Sequence, residues 1–100
     1  KTVAKPMTAQ GFGSIVNISS LNGLGGGAVG YTDTKGAVRG MTKAASLELA
    51  PTGVRVNSVH PGVIETPMIS QPGTEAAVKQ SAKTIPLRRI AKPEEVSKLV

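Results

Sequence analysis

Two side chains, Tyr31 and Lys35, have the types and the spacing for proton-transfer chemistry. They stand four residues apart in Tyr31-Thr32-Asp33-Thr34-Lys35, so on a helix they lie on the same face. A cation within about 4–6 Å of a tyrosine favours the phenolate, and such a tyrosine can act as a general acid or base toward an alcohol or carbonyl. A tyrosine and a lysine at this spacing also occur by chance in roughly one chain of this length in five. The pair therefore needs support from its surroundings.

An apolar, β-branched segment stands on each side of this pair in the sequence. The first, residues 13–18, is followed by Ser19-Ser20, and the second, residues 54–59, is followed by His60-Pro61-Gly62. Such near-continuous apolar runs are typical of parallel strands covered on both faces. A helix predicted from about Thr32 to Ala50 joins them. Because ligands gather beyond the carboxyl ends of the strands in an open parallel sheet, both polar strand ends are expected at a ligand site.

Three further helices are predicted around these elements. One runs from Thr2 to Gln10 and stops at Gly11-Phe12-Gly13. Another, from about Thr74 to Lys83, lies in an irregular, proline-rich stretch with the character of a lid. The last begins at Pro93, where two glutamates follow and suit a helix N-terminus. No repeat or internal linker is visible, so one compact unit is expected.

These blocks, in this order, resemble the catalytic half of the short-chain dehydrogenases/reductases. The resemblance rests on Gly13–Ser20, on Tyr31–Lys35 and on Val54–Gly62, and it covers nearly the whole chain. It implies an α/β fold with a doubly wound parallel sheet of the Rossmann type, in which residues 1–100 are the C-terminal half of one NAD(P)-binding domain. The glycine-rich dinucleotide fingerprint, the residue that chooses between NAD and NADP, and an asparagine of the proton relay would then precede Lys1.

The resemblance also implies roles for individual residues. Ser20, Tyr31 and Lys35 would be catalytic: the serine bonds the substrate oxygen, the tyrosine exchanges a proton with it, and the lysine favours the phenolate and holds the cofactor ribose. Ser19 is a neighbour that could stand in for Ser20. The substrate would be contacted by Ser20, Leu21 and Tyr31. The cofactor, NAD or NADP, would be bound by Tyr31, Lys35, Pro61, Gly62, Val63, Ile64 and Thr66.

Two segments also admit a plainer interpretation. Pro61-Gly62 is an ordinary turn that ends a strand without any cofactor. The loop from Leu21 to Gly30 holds five glycines and resembles a phosphate-binding loop, but the glycine and lysine spacings of such loops are absent, which favours a mobile flap lining a pocket. This loop makes the Ser20–Tyr31 separation about two residues shorter than the family usually shows.

Other polar residues near the strands are predicted to be structural. His60 is the single histidine, so neither a histidine triad nor a metal site is expected. It is predicted to be packed and hydrogen-bonded. Asn17 and Asn57 are assigned to the strands' own structure, and Asp33, on a different helix face from Tyr31, is predicted to be solvated.

Composition limits the other function classes. The net charge of +6 suggests nucleic acid, but the basic residues are scattered, and one Tyr and one Phe offer little surface for stacking bases. The positive charge is explained more simply by a preference for an anionic ligand, such as a phosphorylated cofactor. No apolar run of eighteen residues predicts a membrane span. The absence of cysteine excludes disulfides and thiol catalysis within these residues and is compatible with a cytoplasmic location.

The sequence therefore predicts an NAD(P)-dependent oxidoreductase that acts on a small-molecule secondary alcohol or ketone. Hydroxysteroid-type members of the family match best, with acyl-carrier-protein reductases as the alternative. A catalytically silent scaffold that keeps the fold is the rival from another class. Gly36 and Gly40 on the long helix suggest that another backbone approaches closely. Since the family forms a subunit interface there, a homo-oligomer, dimer or tetramer, is expected.

Overall fold

The computed structural model describes residues 2–100, which fall into two units, and the single domain that the sequence predicts stays a prediction. The first unit ends at His60 and the second runs from Pro61 to Val100. None of the helices in the described chain has the length and apolarity that a bilayer crossing requires. The first unit contains α1 (Ala4–Gln10), β1 (Gly13–Ile18), α2 (Asn22–Gly25), α3 (Tyr31–Leu49) and β2 (Val54–Val59), and the second contains α4 (Glu75–Thr84) and α5 (Pro93–Ser97).

The two strands of the first unit pair in parallel. Gly13 lies opposite Val54, and Ile18 lies opposite Val59. The helix α3 and a 3-10 turn at Ala50–Thr52 carry the chain from the end of β1 back to the start of β2. Parallel neighbours need a crossover of this kind, because a hairpin can join only antiparallel strands. The predicted parallel strands with an intervening helix are confirmed.

The core of the first unit lies along β2. Val54 and Val56 are 2% and 7% exposed, and α3 packs against this strand. The strand β1 is less covered, since Ile15 and Val16 are half-buried and Ile18 is exposed. The prediction that β1 is covered on both faces is therefore not met by the described residues themselves.

The helix α3 lies between two glycines in the left-handed region. Gly30 precedes it with a φ of 85°, and the Asp33 carboxylate accepts a hydrogen bond from the Gly30 N–H at 3.3 Å. Gly53, with a φ of 79°, follows the 3-10 turn. A Cβ on Gly53 would press on the carbonyl oxygen of Gly11, so glycine is needed for both conformation and space. Asp33, predicted to be only solvated, is exposed but also caps this helix.

The second unit contains one short parallel bridge, between Ile64 and Ala91. The Ala91 N–H donates to the Val63 oxygen at 3.1 Å, and the Glu65 N–H donates to the Ala91 oxygen at 2.8 Å. The helix α4 lies within one residue of its predicted bounds, inside an otherwise irregular segment. The predicted character of this stretch is thus confirmed, while its role as a lid stays a prediction.

An exposed ion pair leads into α5, which begins at Pro93 as predicted. Two nitrogens of the Arg89 guanidinium donate to the Glu95 carboxylate at 2.8 and 2.7 Å, and the Lys92 N–H donates to it at 2.8 Å. The hydrogen bond from Arg89, followed by that from Lys92, lowers the pKa of Glu95 to about 2. The same carboxylate raises the pKa of Arg89.

Candidate active site

Three elements of the first unit meet at the carboxyl end of β1. Ser19 and Ser20 follow the strand, α2 comes next in the chain, and α3 begins at Tyr31. The strand pairing extends one bond beyond β1, since the Ser19 N–H donates to the Val59 oxygen at 2.8 Å. The helices α2 and α3 pack against each other. The predicted convergence of strand end and helix start is therefore present in the first unit.

Lys35 attaches α3 to this strand end through two groups. Its backbone oxygen accepts a hydrogen bond from Ser19 Oγ at 2.8 Å, and its Nζ donates to the Ile18 oxygen at 3.3 Å. Ser19 is only 4% exposed. Because the Ser19 hydroxyl is buried and already donates its hydrogen, the alternative that Ser19 stands in for Ser20 loses its support.

The helix α2 lies directly against this junction. A Cβ on Gly23 would come within 2.8 Å of the Lys35 oxygen and of Ser19 Oγ, so no side chain fits there. The first half of the predicted flap is thus a helical turn, Asn22–Gly25. Sequence reasoning missed this turn because glycine has a low helix propensity. Packing against α3 supplies the stability that propensity does not.

The Ser20 side chain is placed to donate its own hydrogen. Ser20 Oγ accepts a hydrogen bond from the Asn22 N–H at 3.2 Å. A hydroxyl that accepts such a bond keeps its hydrogen for another acceptor, and the accepted bond polarises it. The Ser20 carbonyl is also held, by the Gly23 N–H at 2.9 Å and by His60 Nδ1 at 3.2 Å. Ser20, at the end of β1, can therefore offer a hydrogen to a substrate oxygen.

Tyr31 and Lys35 come together as their spacing predicts. Tyr31 is the first residue of α3 and is 48% exposed, and Lys35 Nζ lies 5.7 Å from the centre of its ring. An ammonium group has three N–H donors, and the bond to the Ile18 oxygen uses one of them. The remaining donors suit the vicinal hydroxyls of a ribose. The residues of this first unit therefore fit the part of NAD(P) that the lysine is expected to hold.

His60 is hydrogen-bonded through both ring nitrogens. Its Nε2 lies 2.8 Å from Ser58 Oγ, and its Nδ1 lies 3.2 Å from the Ser20 oxygen. The predicted hydrogen-bonded histidine is confirmed. The link to Ser20 was not predicted, because residues 40 positions apart in the chain give no local signal for it. A polar ring placed just before a proline at a strand end is the nearest clue in the sequence.

A second polar link joins β1 to α3. Asn17 Nδ2 donates to Thr42 Oγ1 at 3.0 Å, and Thr42 Oγ1 donates to the Val38 oxygen at 2.8 Å. Thr42 is 6% exposed, so this network satisfies polar groups in the interior of the first unit. The structural role predicted for Asn17 is confirmed, and the role of Asn57 stays a prediction.

The predicted nicotinamide-binding segment lies in the second unit. The bridge to Ala91 uses the Val63 oxygen and the Glu65 N–H, so the N–H and C=O of Ile64 are not part of it. Free backbone groups at Ile64 are what a carboxamide would need. Pro61, Val63, Ile64 and Thr66 are half-buried, and Gly62 is exposed. Their cofactor role stays a prediction, as does the substrate role of Leu21, which is 54% exposed.

The chain is similar to known proteins over its whole length. The family model described as Enoyl-(Acyl carrier protein) reductase matches residues 1–100. The 3-alpha-(or 20-beta)-hydroxysteroid dehydrogenase of Mycobacterium tuberculosis (strain ATCC 25618 / H37Rv) is 50% identical over 102 positions, which cover 100% of this chain and 37% of that relative. The chain thus spans well under half the length of the relative that it matches.

The same alignment bears on the length of the glycine loop. It spans 102 positions and takes in all 100 residues of this chain, so the relative carries at least two residues that this chain lacks. The length of the alignment does not locate these residues, so the shortening between Ser20 and Tyr31 stays a prediction.

Two solved structures share the fold. NAD+-bound xylitol dehydrogenase is 26% identical with a TM-score of 0.87, and it covers 97% of this chain and 44% of its own. An ElxO variant with NADPH bound is 32% identical with a TM-score of 0.88, and it covers 96% of this chain and 40% of its own. These neighbours confirm a partial Rossmann-type fold, of which the two-stranded parallel sheet is a part. By its family match over its whole length, the chain belongs to the short-chain dehydrogenase/reductase family, whose members are oxidoreductases that use NAD or NADP.

Proposed function

We propose that this chain is the catalytic part of an enzyme that transfers hydride between a nicotinamide cofactor and a secondary alcohol or ketone. Tyr31 is the general acid and base of this reaction. The observation that carries the proposal is the 5.7 Å approach of Lys35 Nζ to the Tyr31 ring. This pair lies in the same unit as a serine whose hydroxyl hydrogen is available. The dehydrogenase activity named for the Mycobacterium relative agrees with it.

Three side chains divide the work on the substrate oxygen. In the oxidation direction, the Tyr31 phenolate oxygen accepts the proton of the alcohol, and in reduction the phenol returns it. The positive charge of Lys35, on the same face of α3, favours the phenolate form, because opposite charges attract even near a protein surface. Ser20 donates a hydrogen bond to the substrate oxygen, and this bond strengthens as negative charge develops there. The bound nicotinamide supplies the hydride acceptor or donor.

Cofactor-binding residues are proposed in each unit separately. In the first unit, the donors of Lys35 that the Ile18 oxygen leaves free bind the ribose hydroxyls, and Tyr31 contacts the nicotinamide side. In the second unit, the backbone groups of Ile64 bind the carboxamide, and the Thr66 hydroxyl binds beside it. Pro61, Gly62 and Val63 line the same part of the cofactor. A cytoplasmic homo-oligomer, dimer or tetramer, completes the proposal.

A hydroxysteroid-type substrate is favoured within the family. Leu21, Leu24 and Val29 of the glycine loop are 54%, 49% and 95% exposed. Exposed apolar side chains close to Ser20 in the chain favour the binding of an apolar ring system, because that contact removes them from water. The description of the matching family model supports the alternative, an acyl-carrier-protein substrate. Comparing kcat/KM for a steroid alcohol with that for a β-hydroxyacyl thioester distinguishes the two.

The full-length protein gives the direct test. Nicotinamide absorbance is followed with NAD and with NADP on secondary alcohols, for the wild type and for Tyr31→Phe. Loss of general acid–base catalysis is expected to lower kcat about 10²- to 10⁴-fold, with cofactor affinity retained. Lys35→Met is expected to lower kcat and weaken cofactor binding, whereas Lys43→Met, at an exposed lysine further along α3, is the matched control. A wild type without turnover supports the scaffold instead, whereas a Tyr31→Phe variant with full turnover shows that Tyr31 is not the general acid and base.

A further inference from the structure

We propose that His60 is a positioning residue that fixes the peptide of Ser20 and thereby aims the Ser20 hydroxyl. This inference rests on the proposed function, in which that hydroxyl donates to the substrate oxygen. In this proposal, His60 itself contacts neither the substrate nor the cofactor. Its action goes through one hydrogen bond, from His60 Nδ1 to the Ser20 oxygen at 3.2 Å.

The His60 ring continues the pairing between the strands where the backbone can no longer do so. The last ladder bond runs from the Ser19 N–H to the Val59 oxygen. In a parallel ladder of this register, residue 61 would supply the next donor, and Pro61 has no N–H. The imidazole of His60 supplies a donor one residue further along, at Ser20. A side chain therefore anchors the end of β1 to the end of β2.

The hydrogen-bond partners define the tautomer of the ring. A carbonyl oxygen only accepts, so the hydrogen must lie on Nδ1, where it points at the Ser20 oxygen. The other nitrogen, Nε2, then accepts from the Ser58 hydroxyl at 2.8 Å. Ser58 thereby fixes the ring orientation.

The bond from His60 differs from the other two that hold Ser20. The bonds from the Asn22 and Gly23 N–H groups are local, because they close turns of two and three residues. Such turns can move as a body with the loop that contains them. The His60 bond spans 40 residues and ties Ser20 to another strand. Because small misplacement of a reacting group lowers the rate strongly, this tie is expected to affect catalysis.

Three substitutions distinguish positioning from simple packing. His60→Asn places an amide N–H close to the position of Nδ1 and keeps the bond to Ser20. His60→Gln places its amide close to the position of Nε2, toward Ser58. His60→Phe keeps a ring of similar size and makes neither bond. A residue that merely fills space would tolerate Phe best, whereas a residue that positions Ser20 would tolerate Asn best.

The experiment measures kcat and KM of the full-length wild type and these variants, with unfolding midpoints recorded alongside. His60→Phe and His60→Gln are expected to lower kcat by about three- to tenfold, the range that one net hydrogen bond represents. His60→Asn is expected to stay within about twofold of wild type, and the KM for the cofactor to stay constant in all three. The ¹⁵N spectrum of the imidazole, assigned by its loss in His60→Asn, is expected to show the Nδ1–H tautomer.

The outcomes separate this inference from the proposed function. If the wild type turns over, Tyr31→Phe does not, and His60→Phe keeps full kcat, the positioning role is wrong and the proposed function stands. Equal losses in His60→Asn and His60→Gln, or an Nε2–H tautomer in the spectrum, also overturn it. If Tyr31→Phe keeps wild-type turnover, the proposed function fails and the role of His60 in the reaction fails with it.

Discussion

The Ser19 hydroxyl donates a hydrogen bond to the backbone oxygen of Lys35 at 2.8 Å, from a position that is 4% exposed. This bond ties the end of β1 to the second turn of α3. It therefore couples the placement of two proposed catalytic residues, since Ser20 is the next residue in the chain and Lys35 is the acceptor itself. The two adjacent serines have separate tasks, one in the structure and the other in the chemistry.

Substituting each serine in turn is expected to separate stability from activity. Ser19→Ala removes this part-buried hydrogen bond to the Lys35 carbonyl, so the free energy of unfolding should fall by about 0.5–1.5 kcal/mol. Ser20→Ala removes an exchangeable donor near the surface and should change stability by less than about 1 kcal/mol. Its kcat should fall at least tenfold. Urea unfolding and steady-state kinetics on the same samples check this, and a Ser19→Ala variant that loses kcat but no stability would contradict it.

Gly23 is expected to control how closely α2 approaches α3. Gly23→Ala places a Cβ within 2.8 Å of the Lys35 oxygen and Ser19 Oγ, and overpacking of this kind costs about 1–3 kcal/mol. The unfolding midpoint should fall, and kcat with it, because the displaced helix carries the Asn22 N–H that holds Ser20. Gly25→Ala is the matched control in the same helix, where a Cβ meets nothing within 4 Å. Equal stability of the two variants would show that the junction relaxes freely.

The sequence predicted the elements better than their contacts. The bounds of α3, β2 and α4 agree with prediction to about one residue, because Gly53, Pro51 and a regular apolar pattern mark them. The pairing of Tyr31 with Lys35 was also predictable, since helix geometry alone brings residues four apart together. These features depend only on neighbours in the chain.

The remaining features of the site depend on packing between distant segments. The helical turn α2 forms in a glycine-rich stretch because Gly23 fits against α3, which local propensity does not show. The docking role of Ser19 and the bond from His60 to Ser20 require that strand ends meet, and the sequence contains no local signal for either. The open surface at Gly36 and Gly40 is a further case. A close backbone approach was predicted there, and no described atom outside the helix backbone comes within 4 Å of a Cβ at either glycine.

The Glu95 carboxyl is expected to titrate well below an ordinary glutamate. Hydrogen bonds from Arg89 and from the Lys92 N–H hold its pKa at about 2, below the usual 4.5. As the pH falls from about 4.5, the unfolded chain takes up this proton before the folded one does. The stability that the ion pair contributes is thus fully present above about pH 4.5 and is lost as the pH falls toward about 2.

Carboxyl ¹³C titration and unfolding at several pH values check this expectation. The Glu95 resonance should move near pH 2 in the wild type and at higher pH in Arg89→Gln. The unfolding midpoint of Glu95→Gln should vary less between about pH 4.5 and 2 than that of the wild type, with Glu94→Gln as the neighbouring control. An unchanged Glu95 titration in Arg89→Gln would show that the guanidinium is not the cause.

Gly36 and Gly40 are expected to report on the proposed oligomer. Within one chain a Cβ at either position meets open space, so Gly→Ala alone should stabilise the helix by about 0.5–1 kcal/mol. A second subunit whose backbone packs on this face would instead be pushed away by the new methyl groups. Sedimentation velocity of Gly36→Ala and Gly40→Ala should then show smaller species than the wild type, while Arg39→Ala, at an exposed position on the same helix, should leave the assembly unchanged. Full assembly with raised stability in both glycine variants would place the interface elsewhere, because a close helix contact cannot accept those methyl groups without cost.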